Sequence, residues 1–538
     1  MIRLKNARIV DPANNRDEQG DLYIRDGRIA EKGEATETID LKGRIVMAGA
    51  IDIHTHVAGG NVNTARLLLP EYHKAHSARP GLTALSAAGW STGETGRRYA
   101  EMGFTTVVEP AMLPTHALHS HLEMADIPIV DKAGLCVLGN DDFLLNLLRK
   151  KESPSAIRDH VAFMLDQTKA LGIKVINAGA SAAFKANART FNLDDEVPQY
   201  GVTSRQIVLA LQRAVSELGI PHPLHVHCNN LGDPGNADTA VDTMAATDGL
   251  PVHFAHMQFY GYGKEGKRGF SSAAGRIAAE VNARKNVTID IGQVMFGQTV
   301  TVSCDVMRQF TARDQARPRK WVMFEGEGSG GGVVPYSYSQ KSFYNAVQWA
   351  VGLELFLLIN DPMRVFFTTD HPNGAPFTAY PQIFAFLMDR NVRAEWIARM
   401  PKAAMKVTTL PEISREYSLY EIATMTRAAP AKLLGLKDRG HLGIGAVADI
   451  STYTDQADKA RMFSAANHVF KDGRLVVRDG EVIARHQGRA LMLKADVEPA
   501  MARRMGGYFN DTYGLDASLF TVTPGALGMD HPFEAVPW

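Results

Sequence analysis

Two histidines close the apolar run Ile51-Asp52-Ile53-His54-Thr55-His56. Residues two apart on a strand share a face, so His54 and His56 project together and can grip one divalent metal. Such a pair also occurs as ordinary core or surface histidines, and its weight depends on its company. Lys174 stands inside the apolar segment Gly172-Ile173-Lys174-Val175-Ile176. A buried ammonium needs a partner or loses its proton. A neutral lysine can take up carbon dioxide as a carbamate, a carboxylate able to bridge two metals; the plainer reading is an ion-paired core lysine.

Further along, Leu224-His225-Val226-His227 offers two more imidazoles on one strand face. His227, nearer the C-terminal rim where barrel chemistry sits, is favoured as a ligand, with His225 a deeper structural imidazole. Val252-His253-Phe254-Ala255-His256 offers two histidines at odd separation, so on a regular strand only one points inward. His256 is favoured for the same reason, and His253 is expected to pack between strand and helices. Asp370 ends the run Val365-Phe366-Phe367-Thr368-Thr369 before His371-Pro372. A carboxylate there can bind metal and shuttle protons, or simply cap a turn.

These residues need a scaffold that brings strand ends together. Apolar strand-like runs alternate with helical segments such as 204–218 and 344–358, which points to βα units and a parallel barrel. The first 45 residues instead read as short strands, with Asp26-Gly27 as a hairpin turn. The same grammar returns at Asp472-Gly473 and Asp479-Gly480. Two long stretches, 57–100 and the glycine-rich 298–343, interrupt the alternation and suit lids or binding surfaces. The residues after 490 read as a surface arm. His116, His119 and His121 are expected to be solvated at a helix start, and His73 and His76 to be an exposed pair.

Composition narrows the class. With 538 residues, two or three domains are expected, one of them a barrel. Lys+Arg and Asp+Glu both number 58, which gives no electrostatic reason to expect nucleic acid or an anionic membrane. Cys136, Cys228 and Cys304 stand far apart, against a disulfide framework, a Cys-rich zinc site or an iron–sulfur cluster. The N-terminus has no apolar signal region, and the longest apolar stretch, interrupted by Glu354, falls far short of the ~20 residues of a membrane span. A soluble, cytoplasmic protein is expected.

The order HxH, Lys, His, His, Asp, each at a strand end, resembles the amidohydrolase superfamily. Its binuclear members imply a TIM-like metal-dependent hydrolase barrel with a small β-sandwich built from both chain ends. Gly440-His441-Leu442-Gly443-Ile444-Gly445 resembles the return into that sandwich. The implied division is 1–47 plus 438–490 for the sandwich, 48–437 for the barrel and 491–538 for the extension. The superfamily commonly has a proline in its first motif, where this chain has Met47-Ala48-Gly49. That variant, with GIKVINAG, HVHCNN and AHMQFYGYG, resembles the alpha subunits of formylmethanofuran dehydrogenases and of bacterial formyltransferase/hydrolase complexes.

The resemblance implies two zinc ions, one on His54, His56 and Asp370 and one on His227 and His256, bridged by N6-carboxylated Lys174. It also implies Asp370 as proton shuttle, a formylated methanofuran-type carrier as substrate, and other subunits of such a complex as partners. Two rivals are a cyclic amidohydrolase of the hydantoinase or dihydroorotase kind, and a non-catalytic scaffold on the same fold.

Overall fold

Eight short apolar runs alternate with helices and form parallel strands in chain order: β1 (Ala50–Asp52), β2 (Phe104–Met112), β3 (Asp131–Leu138), β4 (Gly172–Ile176), β5 (Leu224–His227), β6 (Val252–Phe254), β7 (Val287–Asp290) and β8 (Val365–Phe366). Each pairs with its sequence neighbour, except that β8 meets β1 through the Thr55/His371 bridge and the 2.8 Å bond from His56 N to His371 O. The sheet therefore closes into an α/β barrel. This computed structural model describes residues 1–76, 88–188, 190–247, 249–303, 324–326, 331–528 and 533–537. Residues 77–87 of the first long stretch, and 304–323 and 327–330 of the second, with Cys304 and most of the glycine run, lie outside the described residues.

Local sequence explains the surrounding helices. Helix Ser204–Glu217 starts at a capping box of Thr203 and Gln206 and buries Ile207, Val208, Leu211, Ala214 and Val215, the i, i+1, i+4, i+7, i+8 stripe of a helix on a sheet. Helix Phe343–Leu358 is apolar all round and buried nearly throughout. Its Glu354 is tolerated there because Leu410 N–H (2.7 Å) and the Thr409 hydroxyl (2.9 Å), among others, donate to it. Among the described residues, no helix is long and apolar enough to cross a membrane.

Both chain ends build a nine-stranded sheet in which Ile45–Ala48 lies between Ile2–Asp11 and Ile450–Tyr453. It covers its own small core, including Leu4, Ile9, Leu22, Ile24, Val46, Ile450 and Phe470. Asp26 and Gly27, at φ 50° and 77°, make the tight turn between Arg16–Arg25 and Arg28–Ala30; Asp472 and Gly473 repeat it at 49° and 74°. Positive φ at both turn positions is what a type I′ hairpin requires.

The C-terminal residues are not a surface arm. Strand Ala490–Met492 extends the barrel sheet beside β3, and Phe533–Ala535 pairs with it in turn. Helix Pro499–Tyr513 buries Met501, Met505 and Phe509, an i, i+4, i+8 apolar stripe within an otherwise polar segment.

Candidate metal centre

The C-terminal ends of the barrel strands bring His54, His56, Lys174, His227, His256 and Asp370 into one buried cluster. None of the six is more than 4% exposed. His54 Nε2 and His56 Nε2 stand 3.1 and 3.3 Å from Asp370 Oδ1, yet that oxygen has no hydrogen-bond partner among the described residues. Lys174 Nζ is 3.2 Å from His54 Nε2. One nitrogen each of His54 and His256 and an oxygen of Asp370 lie within 4.8 Å of one another, and His256 Nδ1 is also without a hydrogen-bond partner among the described residues. Donors about 3 Å apart that do not hydrogen-bond each other suit ligands standing about 2 Å from a common cation. The His227 and His256 rings are 4.6 Å apart, and Asn177 Nδ2 lies 3.2 Å from His227 Nε2.

Protonation suits the same role. Burial pushes His256 down to about 3 and holds His225 and His227 well below the usual imidazole range, so all three are neutral and able to ligate. Burial also lowers Lys174 to about 8, against the pull of Asp370, Asp290 and Glu109, and so frees its lone pair far more readily than an exposed lysine's. His56 differs: burial opposes its charge, but Glu109 and Asp370 outweigh burial and lift it to about 9.

Four polar neighbours of the cluster are ones that the sequence reading does not nominate as site residues. Glu109, near the end of β2, contacts His56 Nδ1 at 2.8 Å and accepts from Val57 N and Ala58 N at 2.8 and 3.1 Å. Asp290, the last residue of β7, contacts His54 Nδ1 at 2.9 Å. Asp52 accepts from His54 N (3.0 Å), Tyr99 OH (2.8 Å) and Tyr380 OH, and burial raises its carboxyl to about 6. Asn177 takes a positive φ of 42° one residue after β4. Each is a single polar residue in or beside an apolar run; Asp52 and Asn177 also lie within quoted motifs, whereas for Glu109 and Asp290 that placement is the sequence signal available.

Two sequence expectations need correction. His253 does not pack outward: its Nε2 lies 3.1 Å from Asp290 Oδ2 and its ring 4.6 Å from that of His225, inside the barrel. His256 also faces inward because its backbone turns left-handed, at φ 33°, which breaks the two-residue alternation after Phe254. His121 is buried rather than solvated, bonded at 2.8 Å to Thr168 O, because helix Ala117–Asp126 turns its Ala117, Ser120, His121 and Met124 face inward. His119, beside Glu123, and His116 are exposed and outside the cluster, and His73 accepts from Gly89 N. His76 closes helix Pro70–His76.

Described residues of both long stretches reach the same rim. Trp90 packs edge-on against His371, the neighbour of Asp370, with ring centroids 5.2 Å apart. Val62, Leu68, Leu69 and Trp90 of the first share a small apolar cluster with Val300 of the second, and Gln298 Nε2 donates to Glu71 at 3.1 Å.

Comparison with known proteins agrees with this architecture. The amidohydrolase family model matches residues 37–484. The FhcA subunit of the Methylorubrum extorquens formyltransferase/hydrolase complex is 49% identical over 534 residues, 98% of this chain and 97% of the relative. Protein FwdA of Methanocaldococcus jannaschii is 39% identical over 518 residues, 92% and 91% of the two chains. A chain in the crystal structure of the M. extorquens FhcABCD complex with methylofuran superposes with a TM-score of 0.95 at 49% identity, covering 99% of both chains. The chain thus belongs to the amidohydrolase family, in the group formed with FhcA and FwdA.

Proposed function

We propose that this chain hydrolyses, or in reverse condenses, the formamide bond of an N-formylated methanofuran- or methylofuran-type carrier, giving formate and the free amine. It does so within a formyltransferase/hydrolase-type assembly. The observation that carries the reading is near-full-length kinship to FhcA in a chain whose barrel rim gathers neutral imidazoles, a deprotonation-prone lysine and a carboxylate.

In this reading His54, His56 and Asp370 hold one zinc ion, and His227 and His256 hold the other. Lys174 would supply a carboxylate to them as its carbamate, formed when the neutral Nζ bonds to the carbon of carbon dioxide and releases one proton. Ions held by these residues would supply Lewis acidity for a water of lowered pKa and for the formyl oxygen. Asp370 accepts the proton of the attacking water and delivers it to the carrier nitrogen, which otherwise departs poorly as an amide anion. A formyl carbon carries only hydrogen, so specificity must come from the amine side. The described parts of the two long stretches, joined at the rim through Glu71 and Gln298 and through Trp90 and Val300, suit that task, using binding energy remote from the reacting bond to position it.

The test is a side-by-side assay of the intact complex. Formate should be released from formyl-methanofuran or formyl-methylofuran far faster than from small formamides, and hydantoins and dihydroorotate should be opened poorly or not at all. Efficient ring opening, with no formate from the formylated carrier, would assign the chain to cyclic amides instead. No turnover of either would leave the scaffold reading.

A further inference from the structure

We infer that Asp290 is a positioning residue for both halves of the metal centre, one oxygen orienting the His54 imidazole and the other holding the His256 backbone. The inference rests on the reading that the rim cluster holds two divalent ions. Asp290 is fully buried, at the end of β7, on a strand that contributes none of the six clustered residues. Its Oδ2 meets His54 Nδ1 at 2.9 Å and His253 Nε2 at 3.1 Å, with His225 Nε2 at 3.5 Å. Its Oδ1 accepts from His256 N at 2.7 Å and from the Thr368 hydroxyl at 3.0 Å. One carboxylate therefore reaches His54 on the β1 side, the His256 backbone after β6, and the segment leading to Asp370 after β8.

The two oxygens do different work. A neutral imidazole carries one N–H. When His54 Nδ1–H donates to Asp290, the His54 Nε2 lone pair is left facing Asp370, the direction in which a cation would sit. Among the described residues nothing else at 2.9 Å or closer fixes that tautomer: His225 Nε2 is 3.1 Å away from the same nitrogen. The second oxygen acts on shape. His256 adopts a left-handed backbone, φ 33°, costly for a histidine, and its N–H is held by Asp290 Oδ1. Gly292, two residues on, leaves room for the turn, since a Cβ there would stand 2.5 Å from His256 Cβ. The Asp290-Ile291-Gly292 segment thus bends His256 inward, and the same carboxylate orients His54.

Glu109 supplies the internal comparison. It meets His56 Nδ1 and the backbone N–H groups of Val57, Ala58 and Ala111, and among the described residues no other member of the cluster. Asp290 serves two members from opposite sides of the centre.

Asp290→Asn separates the two roles. The amide keeps its oxygen toward the His256 N–H, which cannot reverse its polarity. Its NH2 then faces His54, which must move its proton to Nε2 and lose that coordinating lone pair. Metal-free protein titrated with Co2+ in bicarbonate-containing buffer should bind two equivalents in the wild type. In Asp290→Asn one equivalent should weaken by about 10–100-fold while the other stays, with its cobalt absorption bands intact. In Asp290→Ala both should weaken.

The melting temperature of each metal-free variant reports folding separately; if Asp290→Ala does not fold, the near-isosteric Asp290→Asn carries the test. Two equivalents at wild-type affinity in Asp290→Asn would overturn the inference and leave the two-metal reading standing. So would a metal-loaded crystal structure with an ion about 2 Å from an Asp290 oxygen, which would make Asp290 a ligand. Fewer than two equivalents in the wild type would remove the two-metal reading itself.

Discussion

The barrel buries two charged clusters, one at each end, and they are built on opposite principles. At the base, Lys471 Nζ bonds to Asp449 at 3.0 Å, Asp131 at 3.1 Å and Asp472 at 3.3 Å. Arg439 meets Asp131 at 2.9 Å and Glu534 at 2.9 Å. This network ties β3 to the sheet of both chain ends and to the C-terminal strand, with cation set against anion throughout. At the rim, Lys174 has an imidazole within reach instead of a carboxylate, and Asp370 Oδ1 and His256 Nδ1 lack hydrogen-bond partners among the described residues. Buried charge is tolerable when partners are present and costly when they are not. At the base each of these buried cations faces carboxylates, although Arg439 Nη2 itself has no hydrogen-bond partner among the described residues; the rim is arranged for something that the chain alone does not supply.

The widest gap between the two clusters should open on replacing their lysines. Lys174→Ala is expected to lose most bound metal and to cut formate release by at least about 100-fold, with partial recovery in short carboxylic acids, while the metal-free protein melts no lower. Wild-type metal content in this variant would break the contrast at its centre. Asp370→Asn should come next: an amide oxygen can still meet a metal but cannot take a proton, so turnover should fall by about 100-fold or more while metal content changes less. Near-normal turnover would remove its proton-transfer role.

Lys471→Met should do the reverse of Lys174→Ala. Leaving Asp131 and Asp449 without their cation should cost about 3–5 kcal/mol in denaturant unfolding, with the metal stoichiometry of the surviving folded protein unchanged. The smallest effect concerns Lys132, a buried lysine at the base that donates to Ile127 O at 3.2 Å and Gly488 O at 2.9 Å. Burial lowers it to about 8, from an unfolded value of about 10.4. Between those values the unfolded chain binds the extra proton, so this lysine's contribution to stability rises with pH. Comparing Lys132→Met with wild type from pH 8 to about 10.5, the difference should move in the wild type's favour by on the order of 1 kcal/mol. A flat difference would mean that Lys132 stays charged.

How far each cluster can be read from the sequence follows from the same contrast. His54, His56, Lys174, His227 and Asp370 stand in or at the ends of apolar runs, so strand alternation and the position of barrel sites suffice to nominate them. Alternation misplaces His253 because it continues only as far as the strand does, and the left-handed turn at His256 leaves little local mark beyond the glycine at 292. Asp290 and Glu109 take their meaning from neighbours across the barrel, which no spacing along the chain records. The base network is the extreme case: Lys471 meets Asp131 across 340 residues of sequence. The C-terminal helix looks polar in sequence because three apolar residues four apart make a weak stripe, and composition outweighs them.

The most direct test of a two-metal centre bridged through Lys174 is metal depletion and reconstitution of the intact complex, read as formate released from the formylated carrier. Chelation should abolish release, and two equivalents of zinc per chain together with bicarbonate, the source of the Lys174 carbamate, should restore it, with either alone giving only partial return. Undiminished formate release from metal-free protein, or full recovery with zinc in carbon dioxide-depleted buffer, would contradict that centre.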